Sequence, residues 1–291
     1  MNSPLLMSPP RGTQVDQMMQ GRGPRPTGQG TSATRGATTL LVASGRGGSG
    51  TSLVSTLLAV AAAGSGYRVL LIDGDDFVGP LAVTLGVQPR ATWQDLRGGR
   101  VDPADVATPI STTLTLVAGG APRGSNDSLP LSAAERRACM RRLSGLAEGM
   151  DLVVVDCGSR LDTVMAAISP HADERLITVS SGSDPVGLAA SYALCKAVHS
   201  RHSAFPMDVL VNRLEGSEAA RCFDAIDAGA RQFLGISLRL SGAIPNDPTL
   251  DTALRAGMPF PDAAAGSPAA IAAHDVVMRA LAAASPSRSG A

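Results

Sequence analysis

From residue 38 onward, short apolar runs alternate with longer stretches whose apolar positions recur at helical spacing. The short runs are TTLLVAS (38–44), RVLLID (68–73), LTLVAG (114–119), LVVVDC (152–157), RLITVSS (175–181), MDVLVN (207–212) and LRLSGAI (238–244). Several are continuously apolar rather than alternating, the pattern of strands covered on both faces in a parallel sheet. The stretches 52–63, 131–148, 185–201, 216–233 and 268–284 fit helices. Strand–helix alternation over this length predicts a doubly wound α/β fold, a mostly parallel sheet with helices on both faces. Right-handed crossovers would bring the strand C-termini to one rim. Ligands of such sheets bind at that rim.

Outside the periodic region the composition changes. Residues 1–37 are rich in Gly, Pro, Ser, Thr and Gln and poor in large apolar side chains, so they are expected to form a disordered extension. The folded domain should span 38–284, followed by a polar tail over 285–291. With 291 residues, 44% of them hydrophobic and 17% charged, the chain can bury a sizeable core. Its formal net charge of zero gives no global pull towards nucleic acid or an anionic membrane. Lys196 is the only lysine against 24 arginines. Cys139, Cys157, Cys195 and Cys222 match no zinc or CxxC spacing and read as reduced core thiols. No run reaches the ~18–20 apolar residues of a membrane span, and the N-terminus lacks a signal-peptide pattern. A cytoplasmic protein is expected.

The first strand leads into Ser44-Gly45-Arg46-Gly47-Gly48-Ser49-Gly50-Thr51-Ser52 and then an apolar helix. Strand, glycine-rich turn and helix N-terminus together cradle phosphates. Glycines admit positive φ and close approach of a ligand, and the exposed N–H groups carry positive potential. A plain tight turn would not require four glycines in six residues. Two phosphate readings compete. Gly45, Gly47 and Gly50 spell GxGxxG, with Asp73 ending the next strand 23 residues after Gly50, which is the local fingerprint of a dinucleotide-binding enzyme. That reading finds no catalytic dyad, since His171, His199, His202 and His274 fall in helical or loop polar positions.

The other reading follows from a resemblance. The loop is similar to the deviant Walker A motif of MinD/ParA-type P-loop ATPases, S-G-K-G-G-x-G-K-[ST]. Arg46 then stands at the signature lysine, Thr51 at the P-loop lysine and Ser52 at the Mg²⁺ ligand. Further landmarks follow in family order: Asp73-Gly74-Asp75, LVVVDCG ending on Asp156 and Gly158, LVNR with Asn212, and AIPND with Pro245. The resemblance covers roughly 38–284. It is closest to the flagellar-number regulators of the FlhG/YlxH/FleN type over 172–198 and 231–250.

The resemblance implies roles. Gly45, Arg46, Gly47, Gly48, Ser49, Gly50, Thr51 and Ser52 would surround the phosphates of ATP, with Asn212 and Pro245 at the adenine. Ser52, Asp73 and Asp156 would attend Mg²⁺, partly through water, and Asp75 would orient the attacking water. The competing readings are a helix cap for Asp156 and Ser52, and solvated loop charge for Asp73 and Asp75, which Asp76 follows. Asp16, Gln17 and Arg22 match part of an N-terminal element that, in those regulators, stimulates the GTPase FlhF.

The departures matter as much as the matches. A P-loop lysine neutralises the β/γ-phosphates, and neutral Thr51 is too short to do so. One charge-assisted contact is worth roughly 1.5–3 kcal/mol, or about 10- to 150-fold in affinity. In the family the signature lysine acts across a dimer, so Arg46 would compensate only there. The expectation is an ATP-dimerised regulator of flagellar number or placement with weak hydrolysis. The alternative is a pseudo-ATPase that serves as a binding module. The final helix, alanine-rich with one arginine, reads as a fold helix rather than a membrane anchor, which leaves at most peripheral attachment.

Overall fold

In a computed structural model the described residues are 36–99, 101–120, 131–169, 173–182 and 184–283. Of the expected N-terminal extension over 1–37, residues 1–35 lie outside them, as does the expected tail over 285–291.

Eight strands form one sheet in the order β3-β4-β2-β5-β1-β6-β7-β8. They are β1 (Thr38–Ser44), β2 (Val69–Asp73), β3 (Ala107–Pro109), β4 (Leu114–Val117), β5 (Leu152–Gly158), β6 (Asp173–Ser181), β7 (Met207–Asn212) and β8 (Arg239–Ile244). All neighbours run parallel except the edge strand β3, which pairs antiparallel with β4. The doubly wound expectation holds.

Both faces of the central strands are apolar and feed two separate cores. On β1, Leu40 and Val42 face one core while Leu41 and Ala43 face the other. On β5, Leu152 and Val154 oppose Val153 and Val155 in the same way. The first face is covered by α1 (Thr51–Gly64) and α9 (Pro268–Ala283), with α7 (Pro248–Arg255) and α8 (Phe260–Ala264) at its margin. The second is covered by α3 (Ala133–Leu143), α4 (Leu161–Ala167), α5 (Pro185–His199) and α6 (Gly216–Leu234). The four cysteines are free and buried, as their apolar settings implied. Helix α9 packs along α1, in keeping with a fold helix.

Sequence-based bounds drift at the ends. The stretch 131–148 breaks at Ser144-Gly145 into α3 and a 3₁₀ turn over Ser144–Ala147. The short α2 (Pro80–Thr84), α4, α7, α8 and β3 carry no readable period in the sequence, because fewer than about ten residues leave little periodicity to read.

Candidate functional site

The C-terminal ends of β1, β2, β5, β6 and β7 converge on the glycine-rich turn. Strand β1 ends at Ser44, and Gly50, in the left-handed conformation at φ 85°, starts α1. Side-chain caps start α3, where Ser132 receives the Glu135 N–H, α5, where Asp184 receives the Gly187 N–H, and α7, where Asp247 receives the Leu250 N–H, but not α2, α4, α6 or α8. Helix α1 has no such cap. Among the described residues, no protein acceptor meets the N–H groups from Gly47 to Ser52. A helix N-terminus with unmatched donors on a loop bent by Gly48 (φ 80°) and Gly50 is an anion-receptive cradle.

The loop is tight against its surroundings. A Cβ on Gly45 would lie 2.0 Å from the Ala190 carbonyl oxygen of α5. A Cβ on Gly50 would lie 2.4 Å from the Asn212 amide nitrogen. That amide, at the end of β7, donates to the Ser49 carbonyl at 2.9 Å. Asn212 is 2% exposed, so it braces the phosphate loop from beneath. With Pro245, Arg213 and Leu53 it lines a cleft of only about 10 Å³.

Neither cationic position of the motif presents a charge to the cradle. Thr51 is buried, and its hydroxyl donates to Ser44 Oγ at 2.9 Å. Ser44 Oγ in turn donates to the Arg46 carbonyl at 2.8 Å, which also receives Ser49 Oγ at 3.1 Å. Arg46 turns towards α5 and grips Asp184 with both terminal nitrogens, at 3.0 and 2.7 Å. It also donates to the Ser181 carbonyl at 3.2 Å. Gly187 leaves room for this, since a Cβ there would lie 2.9 Å from the guanidinium. The Gly187 N–H and then Arg46 hold the Asp184 carboxyl below the usual carboxylate range.

Opposite the cradle lie the carboxylates. Asp73 and Asp156 are direct neighbours in the β2–β5 register, at 0% and 2% exposure. Burial pushes Asp73 up to about 7, against hydrogen bonds from the Leu81 and Asp75 N–H groups at 2.9 and 3.1 Å, and the charge of Asp156 adds to the rise. Burial also raises Asp156, while the Ser52 hydroxyl and the Gly158 N–H act in the opposite direction. Asp75 accepts the Phe77 and Val78 N–H groups at 2.7 and 3.0 Å on one oxygen, which shapes the following turn.

This donor set fits Mg²⁺ held jointly with a phosphate. Among the described residues no three His, Cys, Asp or Glu side chains converge to hold a metal alone. A hard hydroxyl, Ser52, lies beside a buried carboxylate, Asp156, at the mouth of the cradle. Magnesium is typically bound through one or two carboxylates plus substrate phosphates. The site therefore brings together Gly45 to Ser52, Asp73, Asp75 and Asp156. Asp16, Gln17 and Arg22 lie outside the described residues.

Sequence reasoning missed the neighbours of Asp76. Far from being solvated, Asp76 is 8% exposed and receives the fully buried Arg136 at 2.5 Å and Arg160 at 3.2 Å. Asp162 joins Arg136 at 3.4 Å and Arg160 at 3.0 Å. A signal existed. Arg136, Cys139, Met140 and Leu143 form the buried stripe of α3, so an arginine occupies a core-facing position.

The sequence pattern of the CobQ/CobB/MinD/ParA nucleotide binding domain matches residues 40–260. The chain belongs to that family. As a MinD/ParA domain it is 28% identical to the antiactivator FleN of Pseudomonas aeruginosa over 222 residues, 74% of this chain and 76% of FleN. It is also 28% identical over 221 residues to a septum site-determining protein MinD, so described provisionally, of Oltmannsiellopsis viridis, covering 72% of this chain and 64% of that one. Its fold is similar to MinD from Pyrococcus horikoshii solved with Mg-ADP, at TM-score 0.67 and 20% identity over 84% of this chain and 95% of that one. A ParA-family ATPase from Chlorobium tepidum superposes at TM-score 0.65, with 20% identity over 84% and 98% of the two chains. The dinucleotide-enzyme reading of the GxGxxG turn gives way to the P-loop reading.

Proposed function

We propose that this MinD/ParA domain is a Mg-nucleotide-responsive regulator of flagellar number or placement whose ATP turnover is weak. The flagellar part rests on the likeness to FleN. The nucleotide part rests on one observation: the anion-receptive and metal-facing halves of the site are intact while its cationic half is not. The N–H groups from Gly47 to Ser52 grip the phosphates. Ser52 and Asp156 hold Mg²⁺, with Asp73 beside its water shell. Bound Mg²⁺ supplies charge neutralisation between the phosphates. Asp75 orients water, and Asn212 and Pro245 border the base.

Thr51 brings no charge to this arrangement, and Arg46 is engaged with Asp184. Nucleotide occupancy, more than its hydrolysis, then carries the signal, through an ATP-dependent homodimer in which Arg46 must release Asp184. Asp16, Gln17 and Arg22 offer an FlhF-like GTPase a docking segment, from the cytoplasm or the inner membrane face. No helix of the described residues is long and apolar enough to cross a membrane.

A pseudo-ATPase reading is favoured by the hydroxyl chain Thr51–Ser44–Arg46 and by the narrow base cleft. Titration with a fluorescent ATP analogue, with and without Mg²⁺, separates the two. The regulator reading expects Mg-dependent binding that weakens on Ser52→Ala or Asp156→Ala. No Mg-dependent binding would leave the binding-module reading. Counting flagella on cells lacking the protein tests the cellular role, and an unchanged number rejects it.

A further inference from the structure

Two segments flank the candidate phosphate site, the loop after β2 with Asp75 and Asp76, and the end of β5 at Gly158 with the following loop that carries Arg160. The first leaves the sheet after Asp73, with the Gly74 N–H still meeting the Asp156 carbonyl at 2.8 Å, and the second leaves it after Gly158, which pairs with Ala43 of β1. One side chain joins them directly: Arg160 Nη1 lies 3.2 Å from Asp76 Oδ1. Two further contacts fix the ends of this bridge. Asp76 is anchored from below by Arg136, which is wholly buried against Trp93 at 6.0 Å from the ring centre. Arg160 is steadied by Asp162, which accepts from Nε at 3.3 Å and Nη2 at 3.0 Å.

The two halves differ in exposure. Arg136 and Asp76 are 0% and 4% exposed at the side chain, so separating them would strand buried charge. Arg160 is 43% exposed, so solvent can replace its contact with Asp76. The permanent half is thus Arg136–Asp76 and the releasable half is Arg160–Asp76. Asp75, next in the chain to Asp76, also acts electrostatically on Arg160, after Asp162 and Asp76. Across the cleft the Gly158 carbonyl lies 3.4 Å from Ser44 Oγ at the start of the phosphate loop. The loop that carries Arg160 therefore touches both the cradle and the Asp75 segment.

We propose that Arg160 is a positioning residue that clamps the Asp75 loop to the loop after β5 through Asp76, with Arg136 as the buried anchor. The clamp holds the segment beyond Gly74, whose N–H already ties the chain to the Asp156 carbonyl, against the loop after β5. Its role in nucleotide handling rests on the function proposed above, whereas the clamp itself does not.

Amide hydrogen exchange of the full chain without nucleotide, read by mass spectrometry, tests it in wild type, Arg160→Ala and Arg160→Lys. The alanine variant should raise exchange in the peptides over 74–80 and 157–161 by about 1.5- to fivefold, the factor that one partly exposed ion pair contributes to a local opening. Peptides from β1, β6 and β7 should stay unchanged. Arg160→Lys should recover part of the protection, because one ammonium can still hold Asp76. Unchanged exchange over 74–80 in Arg160→Ala would overturn the clamp, and so would a uniform rise across all strands or a lysine variant no better than alanine. Titration of the same variants with a fluorescent Mg-ATP analogue forms the second arm. Weaker binding in Arg160→Ala, again partly recovered by lysine, extends the clamp to nucleotide handling. Wild type that binds no nucleotide removes that extension and the proposed function, while the exchange result still decides the clamp.

Discussion

Gly45 and Gly47 stand two residues apart in the same turn, yet the structure asks different things of them. A Cβ at Gly45 would meet the Ala190 carbonyl carbon at 2.1 Å as well as its oxygen, and backbone cannot rotate away. At Gly47 nothing lies within 4 Å and φ is not in the left-handed region. Gly45→Ala should therefore cost about 1–3 kcal/mol through overpacking, and Gly47→Ala less than about 0.5 kcal/mol. Urea unfolding of both variants measures the difference, and equal midpoints would contradict the close packing of α5 on the loop. The glycines were legible in the sequence as a cradle, but which one is steric was not. That depends on Ala190, which is 145 positions away in the chain. The same holds for Arg46, where the sequence shows a cation and only the fold brings Asp184 to it. Arg136 differs. Its place on an apolar stripe was visible in the sequence, but its partner Asp76 was hidden in a run of acidic residues.

At the scale of elements, β6 carries chemistry at both ends. Its C-terminal end abuts Arg46 through the Ser181 carbonyl. Near its start Glu174 is 6% exposed and accepts the Ser169 N–H at 2.8 Å, which ties the chain after α4 back to the sheet. Burial raises Glu174 from 4.5 to about 7, against the opposing effect of that hydrogen bond. The folded protein thus holds this proton more tightly than the unfolded chain does. The resulting stability is full below the unfolded value and is lost as pH rises through about 7. Going from pH 8 to pH 6 should stabilise the fold by about 1 kcal/mol from this group, or about 2–4 °C in Tm. Glu174→Gln, uncharged throughout, should remove that share of the slope. Thermal melts across the range decide, and an unchanged slope in the variant would assign the effect elsewhere. Every strand but the three-residue edge strand β3 was legible to within a residue or two, because an apolar run covered on both faces leaves little choice of state. The short helices around the site were not, since their conformation is imposed by long-range contacts such as the Asp73 carboxylate receiving the Leu81 N–H at the start of α2.

At the scale of the whole molecule, ligand occupancy and stability are linked, so the missing charge can be weighed without measuring turnover. A ligand that binds only the folded state stabilises it by RT ln(1 + [L]/Kd). Thr51→Lys places an ammonium at the start of α1, where the unmatched N–H groups already favour an anion. One charge-assisted contact should tighten Mg-ATP binding by at least about tenfold. At saturating nucleotide that gain appears as about 1.4 kcal/mol more stabilisation than in wild type, a few degrees of extra thermal shift. The lysine must displace the Thr51–Ser44 hydrogen bond, so the variant without ligand should melt slightly lower, and the shift must be read against its own baseline. Hydrolysis should rise with affinity, because the same ammonium neutralises charge on the transferring phosphoryl group. Adding Asp75→Ala should abolish the hydrolysis gain and leave the thermal shift, since the proposed function gives Asp75 the attacking water to orient and no phosphate to hold. A lysine variant with no extra shift would mean that the hydroxyl chain from Thr51 to the Arg46 carbonyl has closed the loop to phosphate. The domain would then act through its protein surfaces alone.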